Sequence, residues 1–294
     1  IEERINRANR DEIQGLPYGL SKLDKLTGGM QPGQLIIIAA TPAMGKTAIA
    51  LKFAKSPALA GASTAIASLE MTDLSLTDRL VSSYACVDGS RLRSGRMDSR
   101  DLKNYERAAG ELSQLNIYID DTAGTSLGRL SAMARTKHRK GELDLFIIDY
   151  LQLIESDANT RDFKRNREQE VAMITRGLKK LAKDLQIPVV LLCQLNRAVE
   201  SRADKQPQLY DLRESGGIEQ DADVVLMPFR PAYYEGLEVS DDNGDVIPDD
   251  VGIIFIRKQR DGELGAILFR YSYDLSKIED YVPEQLYIED GSLF

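Results

Sequence analysis

The sequence predicts an α/β fold: a mostly parallel, doubly wound sheet with antiparallel strands at its C-terminal edge. Three observations carry this. Short apolar runs alternate with amphipathic helical stretches between residues 35 and 226. The runs Leu35–Ala40 and Pro188–Cys193 are apolar at every position, as strands covered on both faces require. The last two runs, Val251–Ile256 and Ala266–Tyr271, flank Asp261-Gly262 with no helix between them, which reads as a hairpin.

Taken in order, Ile1–Ile13 mixes charge with Ile1, Ile5, Ala8 and Ile13, a weakly amphipathic helix too small to fold alone. Gly15-Leu16-Pro17-Tyr18-Gly19 marks a turn, and Leu20–Leu26 a short helix stopped by Gly28-Gly29. The strand Leu35–Ala40 is followed by a helix over Thr47–Ala54. Thr64–Leu69 is a second strand, and Leu74–Tyr84 and Leu102–Leu115 are helices. Strands over Asn116–Asp120 and Leu145–Ile148 are separated by a helix over Ser126–Arg139. From Gln169 to Leu185, the apolar positions Val171, Ile174, Leu178, Leu181 and Leu185 fall on one helical stripe. Strands follow at Pro188–Cys193 and Val224–Leu226. The acidic stretch Gly236–Asp250, with Asn243-Gly244 and Pro248, reads as an exposed loop.

Composition bounds the function. The chain has 294 residues and a net charge of −8, with 43% hydrophobic and 29% charged residues. That excludes a disordered chain and a histone-like basic binder. No apolar run reaches membrane-spanning length. Two cysteines, Cys86 and Cys193, and one histidine, His138, cannot build a disulfide scaffold or a zinc cluster. An acidic balance still allows nucleic-acid binding, because local clusters of basic residues decide it. Without an initiator Met, the chain is expected to be a trimmed or processed piece of a longer protein.

Ala40-Thr41-Pro42-Ala43-Met44-Gly45-Lys46-Thr47 follows a strand and opens a helix. Phosphates need backbone N–H groups at a helix N-terminus, a glycine that lets them approach, and a lysine as counter-charge. The Thr47 hydroxyl is the candidate Mg²⁺ contact. Ala40 stands where the strict pattern has glycine. Asp149, ending the apolar strand Asp144–Asp149, is where a Mg²⁺-linked carboxylate belongs. Glu70, just past the strand Thr64–Leu69, lies at the same carboxyl edge and is a candidate base for the attacking water. Gln194, at the end of Pro188–Cys193, could sense a γ-phosphate.

With these residues in place, the sequence resembles the C-terminal ATPase domain of DnaB-like replicative DNA helicases, hexameric RecA-like P-loop NTPases. The segments that carry the resemblance are Gly15–Gly19 with Leu23-Asp24, Ala40–Thr47, Ser68–Met71, Ile148–Leu153 and Gln194–Arg197. Asp211–Gly216 with Ile218–Asp223, and Lys258-Gln259-Arg260, complete the series. The resemblance implies a nucleotide site in which Lys46 and Thr47 hold the ATP phosphates and Mg²⁺, Glu70 is the base and Asp149 the Mg²⁺-linked carboxylate. It implies that Gln194 couples the γ-phosphate to the DNA loops. Arg213, Glu214 and Gly216 would follow single-stranded DNA inside a homo-hexameric ring. Lys258 and Arg260 would reach the neighbouring subunit's nucleotide, Arg260 as an arginine finger. Residues 1–14 would be the remnant of an inter-domain linker and 15–294 the ATPase domain, with 5′→3′ movement and a cytoplasmic location in a bacterium or phage-infected cell. Primase and loader contacts belong, by that resemblance, to the longer protein.

The basic stretch Arg161–Arg167 could line the same channel. With no Trp and few aromatics in the candidate DNA loops, backbone contacts should dominate over base stacking, and binding should weaken steeply with salt. Two rivals stand beside it: a RecA/RadA-like recombination ATPase with the same core, which would lack the Asp211–Asp223 run, and, from another class, a nucleotide-switched assembly module that does no unwinding.

Overall fold

The computed structural model describes residues 13–154, 167–241, 244–272, 274–275 and 277–283. The helix expected over Ile1–Ile13 lies, apart from its last residue, outside the described residues. So does the basic stretch that begins at Arg161, apart from Arg167.

The elements are α1 (Ser21–Thr27), β1 (Leu35–Ala40), α2 (Lys46–Leu59), β2 (Thr64–Ser68), α3 (Asp73–Ala85), α4 (Gly89–Ser94) and α5 (Ser99–Leu112). Then come β3 (Ile117–Asp120), α6 (Leu127–Arg139), β4 (Leu145–Asp149), α7 (Arg167–Leu185), β5 (Val189–Gln194), α8 (Gly216–Asp221) and β6 (Val224–Phe229). The chain closes with β7 (Val251–Gln259), β8 (Gly265–Tyr271) and β9 (Ile278–Asp280). One sheet takes the order β3-β2-β4-β5-β1-β6-β7-β8-β9. Pairing is parallel from β3 to β6 and antiparallel from β6 to β9. The doubly wound sheet with an antiparallel C-terminal edge is as the sequence predicts.

Two-sided burial explains the unbroken apolar runs. Leu35, Ile37 and Ala39 of β1 pack with α6 and α7, whereas Ile36 and Ile38 pack with α1, α2, α3 and α5 on the other face. All five predicted stripe residues of α7 lie in the first of these cores. Near the chain start, both oxygens of the buried Asp24 accept backbone N–H groups, from Tyr18 at 2.7 Å and Gly19 at 3.1 Å. The Gly15–Gly19 turn is thereby pinned onto α1.

The differences are at element ends and in short elements. Helix α2 runs past Ala54 to Leu59 although it contains Pro57. A proline near the last turn removes few helical bonds, and burying Pro57 and Ala58 favours the longer helix. Helix α5 begins earlier than expected, where Asp98 accepts the N–H groups of Arg100 and Asp101, and it stops at Leu112. Neither α4 nor β9 is expected from the sequence. The first is one short polar turn capped by Asp88, and the second depends on pairing with β8.

Lys55 on α2 is 9% exposed, with its Nζ 5.5 Å from the Tyr84 ring centroid. Burial, and then the Lys52 charge, pull its amine down from 10.5 to about 8. The folded state thus disfavours the ammonium, and the full penalty is present below about pH 8. Between about 8 and 10.5 the unfolded chain still binds a proton that the folded chain has lost, so this contribution to stability rises with pH. Lys55→Met is expected to stabilise the fold at pH 7 by up to about 3 kcal/mol, an advantage that shrinks by pH 10. Urea unfolding at both pH values checks it, and equal stabilities at pH 7 would refute it.

Candidate active site

Strand β1 ends at Ala40, and the chain turns through Thr41–Gly45 into α2. Gly45 has φ +86°, and a Cβ there would lie 3.3 Å from the Leu275 side chain. Only glycine takes that backbone without strain. Met44, 2% exposed, anchors the loop in the core. No side chain caps the N-terminus of α2, so its first amides are left for an external acceptor.

The Thr47 hydroxyl donates to Asp149 Oδ2 at 2.8 Å, joining the start of α2 to the end of β4. Lys46 Nζ lies 4.0 Å from Asp149 Oδ1 and 4.3 Å from the Tyr150 ring centroid. Asp149 is buried, and burial pushes its carboxyl above the usual range against the opposing pull of Lys46 and Thr47. Its Oδ1 has no hydrogen-bond donor among the described residues. An orphaned buried carboxylate oxygen beside a threonine hydroxyl and an uncapped helix suits a hydrated divalent cation and a phosphate. The residues fit Mg²⁺ and a nucleotide.

Parallel registry aligns the other predicted residues. Ser68 pairs with Asp149 and Ala40 with Gln194, so β1, β2, β4 and β5 end at one edge. Glu70, exposed just beyond β2, and Gln194 line the same cleft of about 680 Å³ as Ala40–Ala43 and Gly45–Thr47. Sequence reasoning missed two residues here. Gln152 donates to the Gln194 carbonyl at 3.1 Å and accepts the Gln194 N–H at 3.3 Å, which fixes that backbone. Arg79 on α3 also lines the cleft and adds positive charge near Asp149. Its place on a helical surface carries no local signal.

Lys258 and Arg260 lie elsewhere. Strand β7 runs antiparallel to β6, with Val224 opposite Gln259 and Val225 opposite Lys258. The Arg260 N–H donates to the Asp223 carbonyl, and the Asp223 N–H to the Leu35 carbonyl. Both cations therefore sit at the amino edge of β1, while the loop Thr41–Gly45 leaves its carboxyl edge about 17 Å away at 3.3 Å per residue. Lys258 Nζ donates to the Glu219 carbonyl, and Arg260 donates to the Gln220 carbonyl at 2.7 Å. Arg260 also lies 3.2 Å from Asp223 Oδ1. Arg213 and Glu214 fall in the 3₁₀ segment Leu209–Ser215, and Gly216 opens α8, the helix whose last carbonyls receive the two cations. Among the described residues no helix is long and apolar enough to cross a membrane, and no group of His, Cys, Asp and Glu could hold a metal by itself.

The chain is similar to known proteins. A family model described as the DnaB-like helicase C-terminal domain matches residues 15–280. The replicative DNA helicase DnaC of Bacillus subtilis is 40% identical over 278 residues, covering 94% of this chain and 58% of that protein. The replicative DNA helicase DnaB of Geobacillus stearothermophilus is 40% identical over 271 residues, 92% and 57% respectively. The chain thus spans somewhat more than half the length of these relatives. A solved ATPase domain superposes with a TM-score of 0.84 at 34% identity, covering 96% of this chain and 99% of that one. A DnaB-like replicative helicase studied with its primase interactions gives 0.83 at 34%, covering 96% and 67%. The RadB recombinase, at 0.54 and 18% identity, shares the fold alone. The α/β topology, the loop Ala40–Thr47 after β1 and these relationships agree: the chain belongs to the DnaB-like helicase C-terminal domain family.

Proposed function

We propose that this chain is the ATP-driven motor of a replicative DNA helicase, hydrolysing ATP between subunits of a hexameric ring to move on single-stranded DNA and unwind duplex. The observation that carries this reading is the separation of Lys258 and Arg260 from the phosphate loop of their own chain, across the full length of β1. Cations on the far edge can serve a nucleotide only if it belongs to a neighbour. Two half-sites on opposite edges make a head-to-tail contact, which gives a ring when the rotation from one subunit to the next closes, and the hexamer follows the family.

Within one half-site, the α2 amides and Lys46 hold the phosphates, and Thr47 with Asp149 holds Mg²⁺, which neutralises phosphate charge when bound. Glu70 orients the attacking water and takes its proton, and the Gln194 amide lies where it can register the γ-phosphate. Arg260 and Lys258 of the adjoining subunit stabilise the charge that develops on the phosphoryl oxygens. Arg213, Glu214 and Gly216 contact the strand backbone, and 5′→3′ movement follows the family. Primase and loader contacts belong to the longer protein. Family membership and the Asp211–Asp223 run disfavour a recombination ATPase.

ATP hydrolysis by the full chain with and without single-stranded DNA tests this. Strong stimulation by DNA that fades as salt rises is expected. Hydrolysis indifferent to DNA would replace the motor with the nucleotide-switched assembly module.

A further inference from the structure

Ala43 is a non-glycine residue in the left-handed region, with φ +66°. L-residues enter that region at a cost, so something outside the loop must hold it there. Arg230, directly after β6, donates from Nη1 to the Ala43 carbonyl at 2.9 Å, across 187 residues of sequence. Its guanidinium lies 4.3 Å from the Tyr271 ring centroid, and among the described residues no carboxylate forms an ion pair with it. Arg230 is not among the residues that line the cleft.

We propose that Arg230 is a positioning residue for the nucleotide: it holds Ala43 in the left-handed conformation, so that the amides of Met44, Gly45 and Lys46 converge on the phosphates. The inference rests on the reading of Ala40–Thr47 as the phosphate loop. The Tyr271 ring orients the planar fork, and the bond to the Ala43 carbonyl selects one backbone state. Without Arg230, the loop spends most of its time in conformations whose amides diverge. A charge acting through space would tolerate any loop conformation, whereas a clamp acts only through the torsion of residue 43.

That distinction gives the experiment. Binding of a fluorescent ATP analogue with Mg²⁺ is measured for the full chain and its variants, with thermal unfolding run in parallel. Lys46→Ala is the control for the phosphate-loop reading: if it leaves binding unchanged, that reading fails and the clamp fails with it. With the control behaving, Arg230→Ala is expected to weaken binding about tenfold, the scale of a left-handed L-residue's cost. Ala43→Gly, which reaches positive φ freely, serves as its own reference, and adding Arg230→Ala in that background is expected to change binding by less than about threefold relative to Ala43→Gly alone. A purely structural or purely electrostatic role for Arg230 would not be rescued by giving residue 43 a glycine's backbone freedom. Unchanged binding in Arg230→Ala, or a loss that Ala43→Gly does not rescue, overturns the proposal. If Arg230→Ala unfolds, Arg230→Lys carries the same test, because it keeps the stem and charge but loses the planar fork.

Discussion

Arg260→Ala is expected to lower DNA-stimulated ATP hydrolysis by about 10³–10⁵-fold, the range in which arginine fingers act. Nucleotide binding should fall far less than hydrolysis, because the Lys46–Thr47 loop of each chain is far from its own Arg260 and the neighbour's Arg260 acts on charge that develops only in the transition state. Mixing subunits makes the expectation sharper. Lys46→Ala subunits cannot use their own phosphate loop yet still present Arg260. Arg260→Ala subunits have an intact loop and no finger. Assemblies of the two should recover activity that neither shows alone. Absence of recovery would mean that Arg260 acts within its own subunit or only supports the fold through Asp223, Gln220 and the Asp223 backbone.

Glu70→Gln is expected to cost about 10²–10⁴-fold in hydrolysis while leaving ATP bound. The exchange keeps size and removes the proton acceptor. Glu70 makes no hydrogen bond among the described residues to Lys46, Thr47 or Asp149, so the phosphate-holding geometry should survive. Single-turnover hydrolysis compared with equilibrium binding separates the two quantities. A parallel collapse of binding would reassign Glu70 from proton acceptor to holding the nucleotide or its cation.

Both predictions depend on residues named from sequence, yet they draw on different levels of information. The loop Ala40–Thr47 was legible because its requirements are local: a buried strand, a glycine at positive φ and a lysine-threonine pair at a helix start all fall within a dozen residues. Asp149 was legible for the same reason, as an acid ending a strand that is apolar at every preceding position. Residues 161–166 of the basic stretch, and residues 1–12 of the expected linker, lie outside the described residues.

By itself, then, the amino-acid sequence determined the α/β class, the unbroken apolar strands, the α7 stripe and the strand–loop–helix order of Ala40–Thr47. Burial on two faces and helical periodicity are written in short windows, where each side chain's solvation alone decides its place. Tertiary structure decided what those windows cannot hold. The antiparallel return of β7 alongside β6 sends Lys258 and Arg260 to the sheet edge opposite the loop Ala40–Thr47. Gln152 secures Gln194, and Arg230 reaches the Ala43 carbonyl from the end of another strand. The helix α2 passes through Pro57 because burial beyond it outweighs a lost backbone bond. Each of these follows from strand register and side-chain reach between distant segments, and a register exists only once the whole sheet has paired.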